Sequence, residues 1–142
     1  MISAHAGAGR ILIGAQLLPQ TGKRCQAMGL FDQCAIVSDT NVAAQYADVL
    51  KQGLMLAGFR PTLITIPAGE KSKTLKQAGA ICDQMIAAGL DRRSFIIGLG
   101  GGVIGDISGF VAAIYHRGIP HVQVPTTLLA MVDSSIGGKT AV

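Results

Sequence analysis

The chain has 142 residues, of which 49% are apolar and 14% charged, with 19 glycines, 4% aromatics and a formal net charge of +4. That length suits one domain with a real core, and the composition excludes a disordered chain. The twelve Lys and Arg are scattered, in runs no longer than Lys23-Arg24 and Arg92-Arg93; with so few aromatics to stack on bases, no nucleic-acid partner is expected.

In chain order, "RILIG" (10–14) predicts a strand, and a helix follows around 15–28. "CAIVSD" (34–39) predicts a second strand, β-branched and apolar, ending in polar residues. Over 41–58, apolar residues at 42, 46, 49, 50, 54 and 56 recur as one helix face, and Gly58 stops it. "RPTLITIP" (60–67) is a third strand, and 74–89 a helix closed by Gly89. "SFIIGLGGG" (94–102) reads as a strand buried on both faces that runs into glycines. The helix at 103–116 carries Gly105, Ser108 and Gly109, small enough for close approach, and 119–127 is the fifth strand. A helix or an irregular segment begins at Thr126. The alternation predicts an α/β, Rossmann-like parallel sheet covered by helices on both faces, with one domain over 1–142.

Cys25, Cys34 and Cys82 have neither a zinc spacing nor a disulfide framework, and read as reduced, mostly buried thiols of a cytoplasmic protein. "MISAHAGAGR" has no charged lead before an apolar stretch, so no secretory signal is read. The longest uncharged stretch, Gly118 to Val132, carries two prolines and is too short to cross a bilayer, so no membrane partner is expected.

Ligands of open parallel sheets sit outside the carboxyl ends of the strands. Here those ends carry Asp39-Thr40-Asn41, Gly69-Glu70, Gly100-Gly101-Gly102 and Thr126-Thr127. Gly100 to Gly105 satisfies G-x-G-x-x-G after a strand and at the opening of a helix, where bare backbone and a positive helix end suit a pyrophosphate. It follows the fourth strand, and Pro125 stands where a ribose-binding acid would be sought. Asp39 could supply that acid and favour NAD over NADP, or could cap the helix near Asn41; both readings stay open. Glu70, the one glutamate, sits in "PAGEKSKTL", where Ser72 or Thr74 could cap the next helix. Asp106 is expected in the first turn of the glycine-led helix, where it would repel a pyrophosphate unless aimed at hydroxyls or an amide.

The segment from Asp133 to Thr140 ends in Gly-Lys-Thr, but Asp133 replaces the first P-loop glycine and no strand leads in. It is not read as a P-loop. His5, His116 and His121 show no metal spacing.

The run "GGGVIGDISGFVAAIYHRGIPHVQVPTTLLAMVDSSIGGKTAV" closely resembles the 3-dehydroquinate synthase family, and "RILIG", "IVSDTNV" and "IPAGEKSK" fit the same family in order. The resemblance implies the NAD-binding N-terminal domain of a two-domain, dimeric enzyme. That enzyme turns a heptulosonate phosphate, a sugar-acid phosphate, into 3-dehydroquinate plus phosphate, using NAD and a divalent metal such as zinc or cobalt. It further implies that Asp39 and Asn41 hold the adenosine ribose, while Gly69, Glu70 and Lys73 line the cofactor site. Gly101, Gly102 and Val103 would pass the pyrophosphate, with Asp106, Thr126 and Thr127 beside the cofactor. Asp133 and Lys139 would face substrate and nicotinamide, and Arg117 would contact phosphate, reaching a partner subunit. The family's metal ligands belong to a helical second domain that this sequence is expected to lack, so the chain alone is expected to be inactive. The open alternatives are a related sugar-phosphate cyclase, a metal-dependent alcohol dehydrogenase of related fold, and a nucleotide-binding module without chemistry.

Overall fold

The computed structural model describes residues 1–7 and 9–142. Its parallel sheet has four strands, β3 (Gln33–Asp39), β4 (Arg60–Ile66), β5 (Phe95–Gly100) and β6 (His121–Pro125), in the order β4-β3-β5-β6. The segment 10–14 does not join it. It forms β2 (Gly9–Ile13), which pairs antiparallel with β1 (Ile2–Ala6) in a separate two-stranded ribbon, so the expected five-strand sheet is corrected to four. β1 escaped notice because "ISAHA" alternates small and polar residues with no apolar run.

The helix expected from residue 15 starts later. Pro19 opens a 3₁₀ turn, Leu18–Gln20, and α1 covers Thr21–Ala27. Between β3 and β4, α2 (Thr40–Val42), a π-helical turn (Ala43–Ala47) and α3 (Asp48–Leu56) follow one another without a break. α4 (Leu75–Ala87) leads to β5, α5 (Gly102–Ile114) to β6, and α6 (Leu128–Val132) follows β6. Gly58 and Gly89 end α3 and α4 with φ of +88° and +78°, the left-handed position that a glycine fills without strain.

The chain steps outward from β3 to β4, then crosses back to place β5 on the other side of β3. Right-handed crossovers moving in opposite directions must lie on opposite faces. Accordingly, Leu50 and Leu54 of α3 join Cys25, Cys34, Ile36, Phe95, Ile97 and Leu99 on one face. Ile81 and Met85 of α4 and Ile104, Ile107 and Val111 of α5 join Ala35, Val37, Ile64, Ile66 and Ile96 on the other. Every residue of β5 is buried, as expected for a parallel strand between two cores. The reversal also fixes where a ligand can sit, between the carboxyl ends of β3 and β5.

Cys25 and Cys34 are buried and all three cysteines are unpaired. Burial pushes the Cys25 thiol up to about 11 and the Cys34 thiol up to about 12, with Cys25 adding to the latter.

α5 can lie close on β5 because Gly98 has no side chain where the Ser108 hydroxyl sits. Ser108 Oγ donates to the Ile104 carbonyl at 2.6 Å, and His121 Nε2 lies 3.0 Å from the same oxygen. With the serine proton committed, His121 must donate, which assigns it the Nε2–H tautomer. Burial pushes its pKa down to about 4.

An unfolded histidine protonates near 6.5. On acidification from about 6.5 to about 4, the unfolded chain therefore binds the proton first, and the fold loses stability. Above 6.5 the contribution is intact. Urea unfolding should show a loss of about 2–3 kcal/mol between pH 7 and pH 4.5, and His121→Gln, which keeps a donor, should flatten that slope.

Candidate functional site

At the end of β3, Asp39 Oδ1 accepts hydrogen bonds from the backbone N–H groups of Asn41 and Val42, both at 2.9 Å. Asp39 is therefore the N-cap of α2. Only Oδ1 is engaged among the described residues, so capping leaves the other carboxylate oxygen open to a hydroxyl. The two readings of Asp39 are compatible.

β5 ends at Gly100, Gly101 is the N-cap of α5, and the helix begins at Gly102. No side chain among the described residues caps it. The first helical bond is donated by Gly105 N–H to the Gly101 carbonyl at 3.0 Å, so the N–H groups of Gly102, Val103 and Ile104 keep no intrahelical partner. A 13-residue helix thus presents free donors and the positive end of its dipole.

Thr126 and Thr127 stand beside this turn. Thr126 N–H donates to the Gly100 carbonyl at 2.9 Å, and Thr127 Oγ1 caps α6 by accepting from Ala130 N–H at 3.1 Å. A Cβ on Gly101 would come within 3.3 Å of Thr127 Cγ2, so the turn is close-packed on that side. Thr126 Oγ1 and Ser134 Oγ are buried with no partner among the described residues.

On the other wall, Gly69 takes a φ of +106°, and Glu70–Ser72 forms a 3₁₀ turn. Ser72 does not cap the next helix. Its hydroxyl donates to the Pro67 carbonyl at 2.5 Å, and Thr74 caps α4 by accepting from Gln77 N–H at 3.1 Å. This turn carries Lys73 across to Asp106 on α5, with Nζ to Oδ2 at 2.7 Å and Glu70 Oε1 at 3.8 Å. Its bond to Asp106 pushes the Lys73 ammonium above the usual lysine range, and burial opposes that only in part. Asp106 is not in the first turn of α5, as expected from sequence; it is the fifth helical residue. The repulsion expected toward a pyrophosphate is answered by Lys73, which the sequence places 33 positions away.

Between these walls lies a cleft of about 330 Å³, within the range of small-molecule sites. Of the expected residues it is lined by Glu70, Lys73, Gly102, Val103, Asp106, Thr127 and Asp133. It adds Leu129, Ala130 and Ser134, which the sequence reading missed. Ser134 stood next to Asp133 and was within reach of inspection, whereas Leu129 and Ala130 gave no local signal.

Other expected residues lie elsewhere. Asp39 and Asn41 sit at the neighbouring strand end, outside the cleft lining. Lys139 is exposed and does not line the cleft. Arg117 follows the far end of α5, about 20 Å along the helix from the glycine turn. The Asp133–Thr140 segment follows α6 where a P-loop would follow a strand, so it lacks the setting of a P-loop. His5 and His116 are exposed, and no group of three or more His, Cys, Asp or Glu among the described residues could hold a metal.

The donor set suits a dinucleotide. Free helix N–H groups and bare glycines match a pyrophosphate, and the open oxygen of Asp39 matches ribose hydroxyls.

Residues 63–142 match the family model described as 3-dehydroquinate synthase N-terminal. A 3-dehydroquinate synthase of Pelobacter propionicus is 52% identical over 132 residues, covering 93% of this chain and 37% of that protein. The chain thus spans little more than a third of the length of such relatives. A 2-deoxy-scyllo-inosose synthase, solved with carbaglucose-6-phosphate, NAD+ and Co2+, superposes with a TM-score of 0.82 at 26% identity, over 94% of this chain and 37% of that one. A 2-epi-5-epi-valiolone synthase from Streptomyces hygroscopicus, solved with NAD+ and Zn2+, superposes with a TM-score of 0.81 at 32% identity, over 100% of this chain and 39% of that one.

The cross-cleft pair should be measurable. Lys73→Met and Asp106→Asn are each expected to lower stability by about 1 kcal/mol, and the double variant by less than the sum, in urea unfolding at low salt. Strict additivity would show that the pair carries no coupling.

Proposed function

The chain belongs to the 3-dehydroquinate synthase N-terminal family, and from that premise we propose that residues 1–142 are the NAD-binding domain of a cytoplasmic 3-dehydroquinate synthase. The intact enzyme converts 3-deoxy-D-arabino-heptulosonate 7-phosphate into 3-dehydroquinate and phosphate, a step of the shikimate pathway. The observation that carries this reading is the uncapped N-terminus of α5, opened by glycines, facing a cleft that holds Glu70, Lys73 and Asp106.

Bound NAD would supply a reversible hydride acceptor for a ring hydroxyl. The chain's own residues hold and orient. The backbone N–H groups of Gly102 and Val103 receive the pyrophosphate, and Gly101 lets it come close. Asp39, with Asn41 beside it, accepts from the adenosine ribose through the oxygen that capping leaves open. Gly69 turns the chain so that Glu70 and Lys73 line the cofactor site; Lys73, fixed by Asp106, balances negative charge there. Thr126 and Thr127 close the turn from the β6 side. Asp133 and Lys139 face substrate and nicotinamide, and the lysine suits an anionic sugar acid. Arg117 serves the partner subunit of a homodimer, which its distance from the cleft of its own chain supports.

The zinc or cobalt ion that the resemblance implies has no ligand set among the described residues, so no step of this chain runs through it. A second reading, the matching domain of a related sugar-phosphate cyclase, draws on the two synthase structures above.

Calorimetric titration of the folded chain tests the cofactor reading. NAD should bind saturably, and NADP at least about 10-fold more weakly, because Asp39 repels a ribose phosphate. Asp39→Asn keeps a competent helix cap and should narrow that preference. ATP binding as tight as that of NAD, or no binding by a folded chain, would remove this reading for the isolated domain.

A further inference from the structure

Lys139 follows two exposed glycines, a setting that by itself leaves a lysine loose. The backbone on either side of it is nonetheless held. Upstream, Ser135 N–H donates to the Ala130 carbonyl at 3.0 Å, and Ile136 and Gly137 N–H donate to the Asp133 carbonyl at 3.1 and 3.3 Å. Downstream, the methyl of Thr140 lies over Gly109 of α5, in a notch that the Cβ of any other residue would fill. His121 Cε1 forms the wall of that notch, 3.1 Å from the same Cβ position. Two residues on, Val142 packs against the core beneath α4 and α5, while Ala141 between them is exposed. The tail is therefore pinned at alternate residues, Thr140 and Val142, and only Gly138 and Lys139 bridge the upstream turn to Thr140.

We propose that Thr140 is a positioning residue for Lys139, acting as a knob seated in the Gly109 notch. The absence of a side chain at residue 109 has a purpose beyond helix packing. It admits the tail, and the tail fixes the backbone from which the lysine projects. What Lys139 holds rests on the function proposed above; its anchoring does not.

Backbone order at the Lys139 amide, measured by 15N relaxation on the whole chain, tests this. The wild-type order parameter should lie near that of rigid backbone, about 0.8, and fall below about 0.6 in Thr140→Gly. Gly109→Ala should release the tail in the same way, because its methyl collides with that of Thr140. Thr140→Gly adds no bulk to the core, so it still decides the matter if Gly109→Ala fails to fold. A mobile Lys139 in the wild type or an unchanged order parameter in Thr140→Gly would each overturn the proposal. Titration with inorganic phosphate separates the two claims. Weaker binding in both Lys139→Ala and Thr140→Gly supports a positioned anion contact. Unchanged binding in Lys139→Ala, with the order result intact, removes the substrate role and leaves the anchor standing.

Discussion

Strand β5 is covered on both faces, and it must pass straight into a helix that lies against it. A strand with no exposed side offers no room for a gradual turn, so the change of direction falls on Gly100, Gly101 and Gly102. The same crowding keeps Gly98 bare under Ser108. One steric constraint thus produces both the core and the uncapped helix end. A larger residue at position 100 would collide with Ile104, and one at position 101 would crowd Thr127.

The reversal of strand order at β3 does the rest. It brings Asp39, which ends β3, beside the glycine turn that ends β5, although about 60 residues separate them. It also places α4 and α5 on one face, so that the turn leading into α4 can deliver Lys73 to Asp106. Neither side chain is deeply buried, with about a fifth of each exposed. The pair accordingly works less as a source of stability than as a means of keeping opposite charges matched across a cleft.

Much of this was legible in the sequence. "CAIVSD" and "SFIIGLG" announce buried strands by β-branched and apolar content, and Gly58 and Gly89 stop helices by the backbone geometry that only they take readily. The polar and glycine residues at the strand ends marked where the cleft opens, because the carboxyl ends of parallel strands leave such space. What failed were interactions with no local signature. The ribbon partner "ISAHA" carries no apolar run, and its pairing is with a neighbour outside the main sheet. The Lys73–Asp106 pair depends on two helices packing side by side, which no spacing reveals. The depth of Asp106 within α5 turned on where the helix starts, and a shift of one residue there moves a charge out of the first turn.

The π-helical turn at Ala43–Ala47 has a consequence for how its helix is phased. A wide turn takes in one extra residue, and each residue rotates a helix by about 100°. The rod that begins at the Asp39 cap would, without that insertion, present a different face by the time it reached Leu50 and Leu54. Its two ends answer to separate demands, one to the strand end beside the cleft and the other to the core. The wide turn works as a phase shifter between them, and lets one continuous helix keep both appointments.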